Sequence, residues 1–591
     1  MKQFEKTSFY ALTFLLVLGS ALLGTQVIAQ DQEEDKEAPK FSYEDVIRTS
    51  KIMQKINEAY VEEISSQDLL NASVEGMRNV LDPHTAYLPP KDYSDLQVST
   101  KGAFGGLGIT IAIRDNILTI ISPLQGTPAF RMGLQAGDKI VEIENVSTEG
   151  ITVEKAVEKL RGKPGTKVTI KVVREGLVEP LEFTVTRDRI KIESVPFAGF
   201  VEESIGYIKV TQFSQRTGRD LKNKIVELKE QGMKGLILDL RNNPGGLLDQ
   251  SIDVSSLFLG DNQLVVFTQG RVRGMNRKFY SQNKAVWGED KPLVILINGG
   301  SASASEIVAG AVQDHDRGVL LGKTTFGKGS VQSIFPLDSE DHSLKLTTAY
   351  YYTPSGRCIN KPENAVRYKE GSSRRDYSES KEEEEDKEKL KKFETDKGRI
   401  VLEGGGVSPD VELEGNLINR YLRELERKTM FFKYVVKHRG DIEKQGPINL
   451  DYQVSPQMLA DFKTYIYSDT SFAKYKSASQ LMLEEFEKVL KKEQDVSGDT
   501  LESAMNAKLS LAQQNLESAL REKNNTLFEY NKEYIKDALK RELLQAVLGD
   551  SVRTVSELAR DIQVQEAITY LKDEKKYADA LSIKKETKTQ D

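Results

Sequence analysis

Pro292-Leu293-Val294-Ile295-Leu296-Ile297-Asn298-Gly299-Gly300-Ser301-Ala302-Ser303-Ala304-Ser305-Glu306-Ile307 is the stretch from which the fold reads outward. The apolar run Pro292 to Ile297 reads as a buried strand, the small residues after it as a tight turn, and Glu306 to about Gln313 as a helix. A hydroxyl at a strand-to-helix turn is exposed for attack, and a backbone N–H at the helix start can stabilise an oxyanion. A second apolar run, Val319 to Leu321, leads into Thr325-Phe326-Gly327-Lys328-Gly329-Ser330. A lysine between glycines can be brought close to other backbone and out of water. Ser303 and Lys328 are thus candidate nucleophile and base, a pair that needs no histidine.

The chemistry sets a condition. A free lysine has a pKa of roughly 10.4, so at neutral pH only about one molecule in two thousand can accept a proton. Burial lowers that value by ~3 to 5 units, so Lys328 must sit in a dry place beside Ser303. Taken singly, a serine in a turn and a lysine in a glycine loop are ordinary surface features; the surrounding motifs reverse that reading.

Asn298 to Ile307, then Phe326-Gly327-Lys328-Gly329-Ser330-Val331-Gln332, then Thr347-Thr348-Ala349-Tyr350-Tyr351-Tyr352-Thr353-Pro354-Ser355-Gly356-Arg357 closely resemble the carboxyl-terminal processing (tail-specific) proteases. Asp239-Leu240-Arg241-Asn242-Asn243-Pro244-Gly245-Gly246, Gly76-Met77 and Leu81-Asp82-Pro83-His84 extend the resemblance, which covers roughly residues 41 to 415 in the family's order. It implies Ser303 as nucleophile, Lys328 as general base and Gln332 as the residue that positions the lysine. The oxyanion hole would be backbone N–H groups, Ala304 after the nucleophile and one of Gly245 or Gly246 opposite it, with Gly245 preferred. Glycine suits that place because a missing Cβ lets backbone approach the substrate carbonyl. Glu306 and Asp314 match acidic positions that support the site in some members; each reads equally well as a helix N-terminal charge or a solvated carboxylate.

Other catalytic schemes fail on inventory. The only histidines are His84, His315, His342 and His438, none in a triad context, and His315 reads as an exposed helix end. One cysteine, Cys358, excludes zinc knuckles, C-x-x-C motifs and an intramolecular disulfide. Gly322-Lys323-Thr324 misses a phosphate loop because its first glycine would fall at Arg317, and Gly106-Leu107-Gly108 lacks the glycine at Ile111 that a dinucleotide fingerprint needs. The resemblance implies no metal, nucleotide or organic cofactor. A net charge of −7 gives no basic footprint for nucleic acid.

Lys2 and Lys6 precede an apolar segment from about Phe9 to Leu23, then Val27-Ile28-Ala29, which fits a signal peptide over 1–29 cleaved after Ala29. Left uncleaved, it would anchor the chain in the inner membrane. Either outcome predicts export, to a bacterial periplasm. Residues 30–98 read as a polar spacer and two or three helices, with Val46, Ile52, Met53, Ile56 and Tyr60 at helical spacing. The resemblance implies a role for this segment in assembling a homo-oligomer.

Residues 99–190 read as a small β-rich module. Ile109, Ile111 and Ile113 alternate along a strand after Phe104-Gly105-Gly106-Leu107-Gly108, and an amphipathic helix near Val153 to Leu160 precedes a strand from Lys167 to Arg174. That order closely resembles a PDZ domain, in which the glycine-rich loop, here Phe104 to Gly108, would hold a peptide's terminal carboxylate while the peptide adds a strand to the sheet edge. Residues 191–414 alternate strands with helices in the manner of an α/β layer, and the resemblance implies a crotonase-like βαβ spiral. A charged block over 361–399 interrupts it and carries no chemistry. The region 415–591 reads as a packed helical domain.

The reading is an exported serine endopeptidase that takes protein C-terminal tails through a PDZ domain and cuts them with a Ser-Lys dyad through an acyl-enzyme. The flanking glycines of Lys328 also suggest a resting form with the lysine withdrawn. Two rivals are weighed: a non-catalytic periplasmic peptide-binding or chaperone protein, and an HtrA-like protease, which would need a histidine triad ahead of its PDZ domain. Natural substrates, tail preference and any adaptor are not written in the residues.

Overall fold

The computed structural model describes residues 42–338, 341–361, 390–416, 418–470, 472, 475–494 and 500–583. The signal segment, the start of the spacer and the middle of the charged block lie outside the described residues. Among those described, no helix is long and apolar enough to cross a membrane.

The chain divides into two compact units, residues 1–77 and 78–591. In the first, Tyr43–Ala59 and the helix that begins at Ser66 are two of the two or three helices expected over 30–98. Ser42 caps the first of them, its hydroxyl accepting from Asp45 N–H while the Asp45 carboxylate reaches back to the Ser42 backbone.

The larger unit is built on a sheet whose strand order follows the chain: Phe197–Glu202, Ile205–Lys209, Gly235–Asp239, Leu293–Ile297, Val319–Gly322 and Val411–Glu412. The first pair is antiparallel and every later pair parallel. Neighbours in sequence are neighbours in the sheet, so successive βαβ units wind in one direction, which is the expected spiral. Alternating side chains of these strands serve different cores. Leu236, Leu238, Leu293, Ile295 and Ile297 face the helices Thr217–Glu230, Leu248–Ser256 and Ala304–Asp314. Ile237, Val294, Leu296, Val319 and Leu321 face the far side, where Leu558, Val564, Ala567, Ile568 and Leu581 cover them. The last helices of the chain, Ile562–Lys572 and Glu574–Ala580, therefore cover the protease sheet from beyond the expected boundary at residue 415.

A second sheet stands beside the first. Ser343–Tyr352 pairs with Ser330–Pro336, Leu264–Gln269 and the short strand Ala86–Leu88. The last of these brings Asp82 to Thr85 into the core from a segment that reads as spacer and helices.

The PDZ module is an insertion whose two ends meet: Ile192 N–H donates to Gly102 O at 2.9 Å and Gln215 N–H to Thr100 O at 3.0 Å. Its sheet runs Ile109–Arg114, Ile117–Pro123, Lys139–Ile143, Lys167–Val173 and Leu181–Thr186. The helical domain after 415 has its own core, with Phe431 stacked on Phe462 at 5.1 Å. It touches the PDZ module through Lys433 and Asp115 at 2.8 Å and through Gln125, which donates to Leu548 O at 3.2 Å.

Candidate functional site

Ser303 sits between the end of the strand Leu293–Ile297 and the start of the helix Ala304–Asp314, as the sequence predicts. Its backbone has φ 55 and ψ −114, a region costly for a residue with a Cβ by roughly 1–3 kcal/mol. Such a turn persists only where its surroundings hold it, and here Glu306 does. The Glu306 carboxylate is fully buried and accepts from Ser303 N–H at 2.7 Å, Thr325 Oγ1 at 2.6 Å, Gly327 N–H at 2.7 Å and Lys328 N–H at 2.9 Å. One side chain thus fixes the backbone of both candidate residues. Burial pushes the Glu306 carboxyl above its ordinary value, against the pull of those donors.

Lys328 is half-buried. Burial first, then repulsion from Lys345, holds its amine below the ordinary lysine range, while Glu306 and Asp82 pull the other way. Among the described residues its Nζ makes no hydrogen bond or ion pair, with Ser303 Oγ or any other group. The fully buried Tyr351 closes the site from Ser343–Tyr352. Its hydroxyl donates to the Lys328 carbonyl, close by the Ser303 side chain.

Opposite Ser303 lies the loop after Gly235–Asp239. A Cβ on Gly245 would stand 2.6 Å from Ala302 O and 2.8 Å from both Ala304 N and Ser303 Cβ, at a φ of 95. Only glycine fits there. Its N–H, however, donates to Asn243 Oδ1 at 2.9 Å, so this expected oxyanion donor is occupied by the loop's own side chain. Asn243 is fully buried and fastens the loop to the nucleophile turn, its carbonyl accepting from Ala302 N–H at 3.0 Å and Ser305 Oγ at 2.9 Å.

Two expected members stand apart from the pair. The Gln332 amide donates to Ser330 Oγ at 2.8 Å and Thr347 Oγ1 at 3.4 Å rather than meeting Lys328 Nζ, because a bulge at Val331/Gln332 sets it opposite Thr347. Asp314 is at the far end of the Ser303 helix, buried against Arg357 at 2.8 Å and the Ser355 N–H at 2.9 Å; it is no solvated carboxylate and does not touch Ser303 or Lys328. His315 is likewise not exposed, since its ring nitrogens reach Asp396 Oδ2 and Leu264 O, each at 2.7 Å.

Asp82, Thr325, Lys345 and Tyr351 join the site without being singled out by the sequence. Asp82 accepts from His84 N–H, Thr85 N–H and Thr85 Oγ1 at 2.8, 3.0 and 2.9 Å, and Thr85 Oγ1 in turn accepts from Thr347 N–H at 3.3 Å. The motifs containing Asp82, Thr325 and Tyr351 are visible in the sequence; their convergence on one lysine is not.

In the PDZ module Phe104, Gly105 and Gly106 pair with Ile190, Arg189 and Asp188. A Cβ on Gly105 would stand 2.0 Å from Gly162 O, so the glycine permits a close backbone approach. Leu107 is buried, with its carbonyl accepting from Ala129 N–H at 3.0 Å, and Gly108 O accepts from Leu124 N–H at 2.9 Å. Beyond this loop Ile109–Arg114 is an edge strand, paired only with Ile117–Pro123 among the described strands, and the helix Val153–Leu160 lies beside it. That is the geometry a tail peptide needs to add as a strand.

Residues 204–366 match the family model of Peptidase family S41, residues 96–173 that of the PDZ domain, and residues 421–571 that of a probable PDZ-protease C-terminal helical domain. The chain is 40% identical over 349 residues to a carboxy-terminal-processing protease of Bartonella bacilliformis, covering 58% of this chain and 79% of that protein. It is 37% identical over 371 residues to a carboxyl-terminal-processing protease of Synechocystis, covering 60% and 85%. With the carboxy-terminal processing protease CtpA of Bacillus subtilis it shares 33% over 356 residues, covering 59% and 72%.

Proposed function

The chain belongs to the carboxy-terminal processing proteases of peptidase family S41, serine-type peptidases, and from that premise we propose that Ser303 is its nucleophile and Lys328 its general base. The observation that carries this assignment is the Glu306 carboxylate, which ties the backbone of Ser303 to that of Lys328 while burial and Lys345 hold the lysine amine below its ordinary pKa.

The uncharged Lys328 Nζ takes the proton from Ser303 Oγ as that oxygen bonds to the scissile carbonyl carbon. Negative charge gathers on the carbonyl oxygen. The Ala304 N–H at the helix start faces it, joined by the Gly246 N–H, since that of Gly245 is held by Asn243. Lys328 then returns the proton to the departing amine as the C–N bond breaks, leaving an acyl-enzyme on Ser303. Water deprotonated by Lys328 releases the acyl group and regenerates the serine. Tyr351 anchors the Lys328 carbonyl throughout, and Gln332 steadies the neighbouring strand. Glu306 is the supporting carboxylate; Asp314 acts only by fixing the far end of the helix. The unengaged Lys328 Nζ fits a resting arrangement that tail binding converts to the active one.

The PDZ domain binds the C-terminal tail of the substrate. Its carboxylate would rest on the loop Phe104-Gly105-Gly106-Leu107-Gly108, with the tail extended along Ile109–Arg114. Export to the periplasm, supported by the apolar segment Phe9 to Leu23, and assembly into a homo-oligomer complete the proposal.

Cleavage of one tail peptide, with a free or an amidated C-terminus, tests both halves. The wild type should cut the free-acid peptide at least about ten-fold more efficiently, the difference lying mainly in KM, because the amide lacks the negative charge to which the loop's N–H groups donate. Ser303→Ala should bind the free acid equally well and cut neither form. Equal cleavage of both peptides would remove the PDZ loop from recognition, and cleavage by Ser303→Ala would remove the nucleophile.

A further inference from the structure

The C-terminal helices reach the candidate site through one side chain. Arg241 follows the strand Gly235–Asp239 and directly precedes Asn242-Asn243-Pro244-Gly245-Gly246. Its Nε and Nη2 donate to Asp239 Oδ1 at 3.0 Å and Oδ2 at 2.7 Å. Its Nη1 turns outward, donating to Gln563 Oε1 at 2.8 Å and pairing with Asp561 Oδ2, also at 2.8 Å. Arg241 is 12% exposed and Asp239 fully buried, so the guanidinium is gripped from both sides with little water between.

Each partner on the C-terminal side is itself held. Asp561 caps the helix Ile562–Lys572, its Oδ1 accepting from Gln563 N–H at 3.0 Å and Val564 N–H at 3.2 Å. The Gln563 amide donates to Leu413 O at 2.6 Å. In the other direction the chain runs at once into the catalytic turn. Asn242 N–H donates to Asn298 Oδ1 at 2.9 Å, Asn243 O receives Ala302 N–H and Ser305 Oγ, and Gly245 stands against Ser303. Two rigid links thus separate the last helices from the nucleophile.

We infer that Asp561 and Gln563 are positioning residues for peptide hydrolysis, clamping Arg241 so that the Asn243–Gly246 loop is set against Ser303. The inference rests on Ser303 being the nucleophile. It assigns part of the catalytic geometry to a region some 260 residues further along the chain (563 against 303). A helix that merely covers the sheet needs no ionic grip on that loop, since Leu558, Val564, Ala567 and Ile568 already bury it.

Asp561→Asn in the full chain separates the two roles of this carboxylate. Asparagine caps a helix as well as aspartate does, so the helix stays in place while Arg241 loses a charged partner. For cleavage of a free-acid tail peptide, kcat should fall roughly ten-fold, in line with a sub-ångström shift of the loop. KM, tail-peptide affinity and melting temperature should hold. Asp561→Glu keeps a carboxylate toward the same Nη1 and should retain most of the wild-type kcat. An unchanged kcat in Asp561→Asn, a fall matched by lost folded protein, or an equal fall in Asp561→Glu overturns the inference. Ser303→Ala assayed beside them keeps the two readings apart. If it still cuts, the nucleophile assignment fails; if it is inert while Asp561→Asn is normal, only the clamp fails.

Discussion

Lys328→Met is expected to lower kcat/KM for tail-peptide cleavage roughly 10⁴-fold, the upper range for loss of a general base, and to raise the melting temperature of the protease core. The first effect follows from chemistry: methionine fills the same space and accepts no proton. The second follows from the amine's environment. Burial and Lys345 hold the Lys328 pKa below its unfolded value, so the unfolded chain keeps a proton that the folded site disfavours. That penalty is full at pH values below the folded pKa and fades as pH rises toward roughly 10.4, where the unfolded lysine also becomes neutral. The gain from methionine should therefore be about 2 °C or more at neutral pH and vanish in alkali. Thermal melts across that range, beside steady-state assays, check both. A variant that is inactive and less stable at neutral pH would contradict a desolvated amine.

Glu306→Gln is the second large effect, with kcat falling roughly 10²- to 10³-fold and the core losing about 3 kcal/mol or more. All four groups around this side chain, from Ser303, Thr325, Gly327 and Lys328, donate to it. A carboxylate accepts them all. An amide turns its own N–H groups toward at least one N–H partner and leaves that donor unsatisfied in a buried place. The damage should be shared by both loops, so kcat should fall while tail-peptide affinity, read on the PDZ domain, holds. Denaturant unfolding and single-turnover cleavage measure the two parts. The raised Glu306 pKa adds a sign: cleavage should fail on the acid side at a higher pH than an ordinary carboxylate would produce, because protonation removes acceptors that the loops need.

Much of this arrangement is legible in the residues. The run Pro292 to Ile297, the small-residue turn and the helix behind it appear as Leu293–Ile297, Ser303 and Ala304–Asp314. Local signals, apolar run length and turn composition, suffice for that. The PDZ module is legible for the same reason, its strands and helix spaced closely along 99–190. Long-range convergence is not. Asp82 and Lys345 come together at Lys328 only because Ala86–Leu88 pairs with Ser343–Tyr352, a register no local pattern encodes. Gln332 sits in the expected motif, yet a one-residue bulge turns its amide to Ser330 and Thr347. Asp314 looks solvated beside His315 and Asp316, but Arg357 arrives from the Tyr-Thr-Pro-Ser-Gly motif to bury it.

The C-terminal cover has a signal in the strands themselves. Strands as continuously apolar as Leu293–Ile297 need both faces hidden, and the described helices within 191–414 cover only one. A second layer had to come from elsewhere in the chain, and Leu558 to Leu581 provide it.

The central claim, that an uncharged Lys328 deprotonates Ser303, is tested most directly by the pH dependence of single-turnover cleavage in wild type and Lys345→Met. Measurements from about pH 5 to about pH 11 frame a lysine shifted by burial as well as an ordinary one. The wild-type rate should rise along a limb centred below the ordinary lysine pKa, and Lys345→Met, freed of the neighbouring positive charge, should move that limb toward alkali. A limb centred near roughly 10.4 in the wild type, or one indifferent to Lys345, would contradict the account.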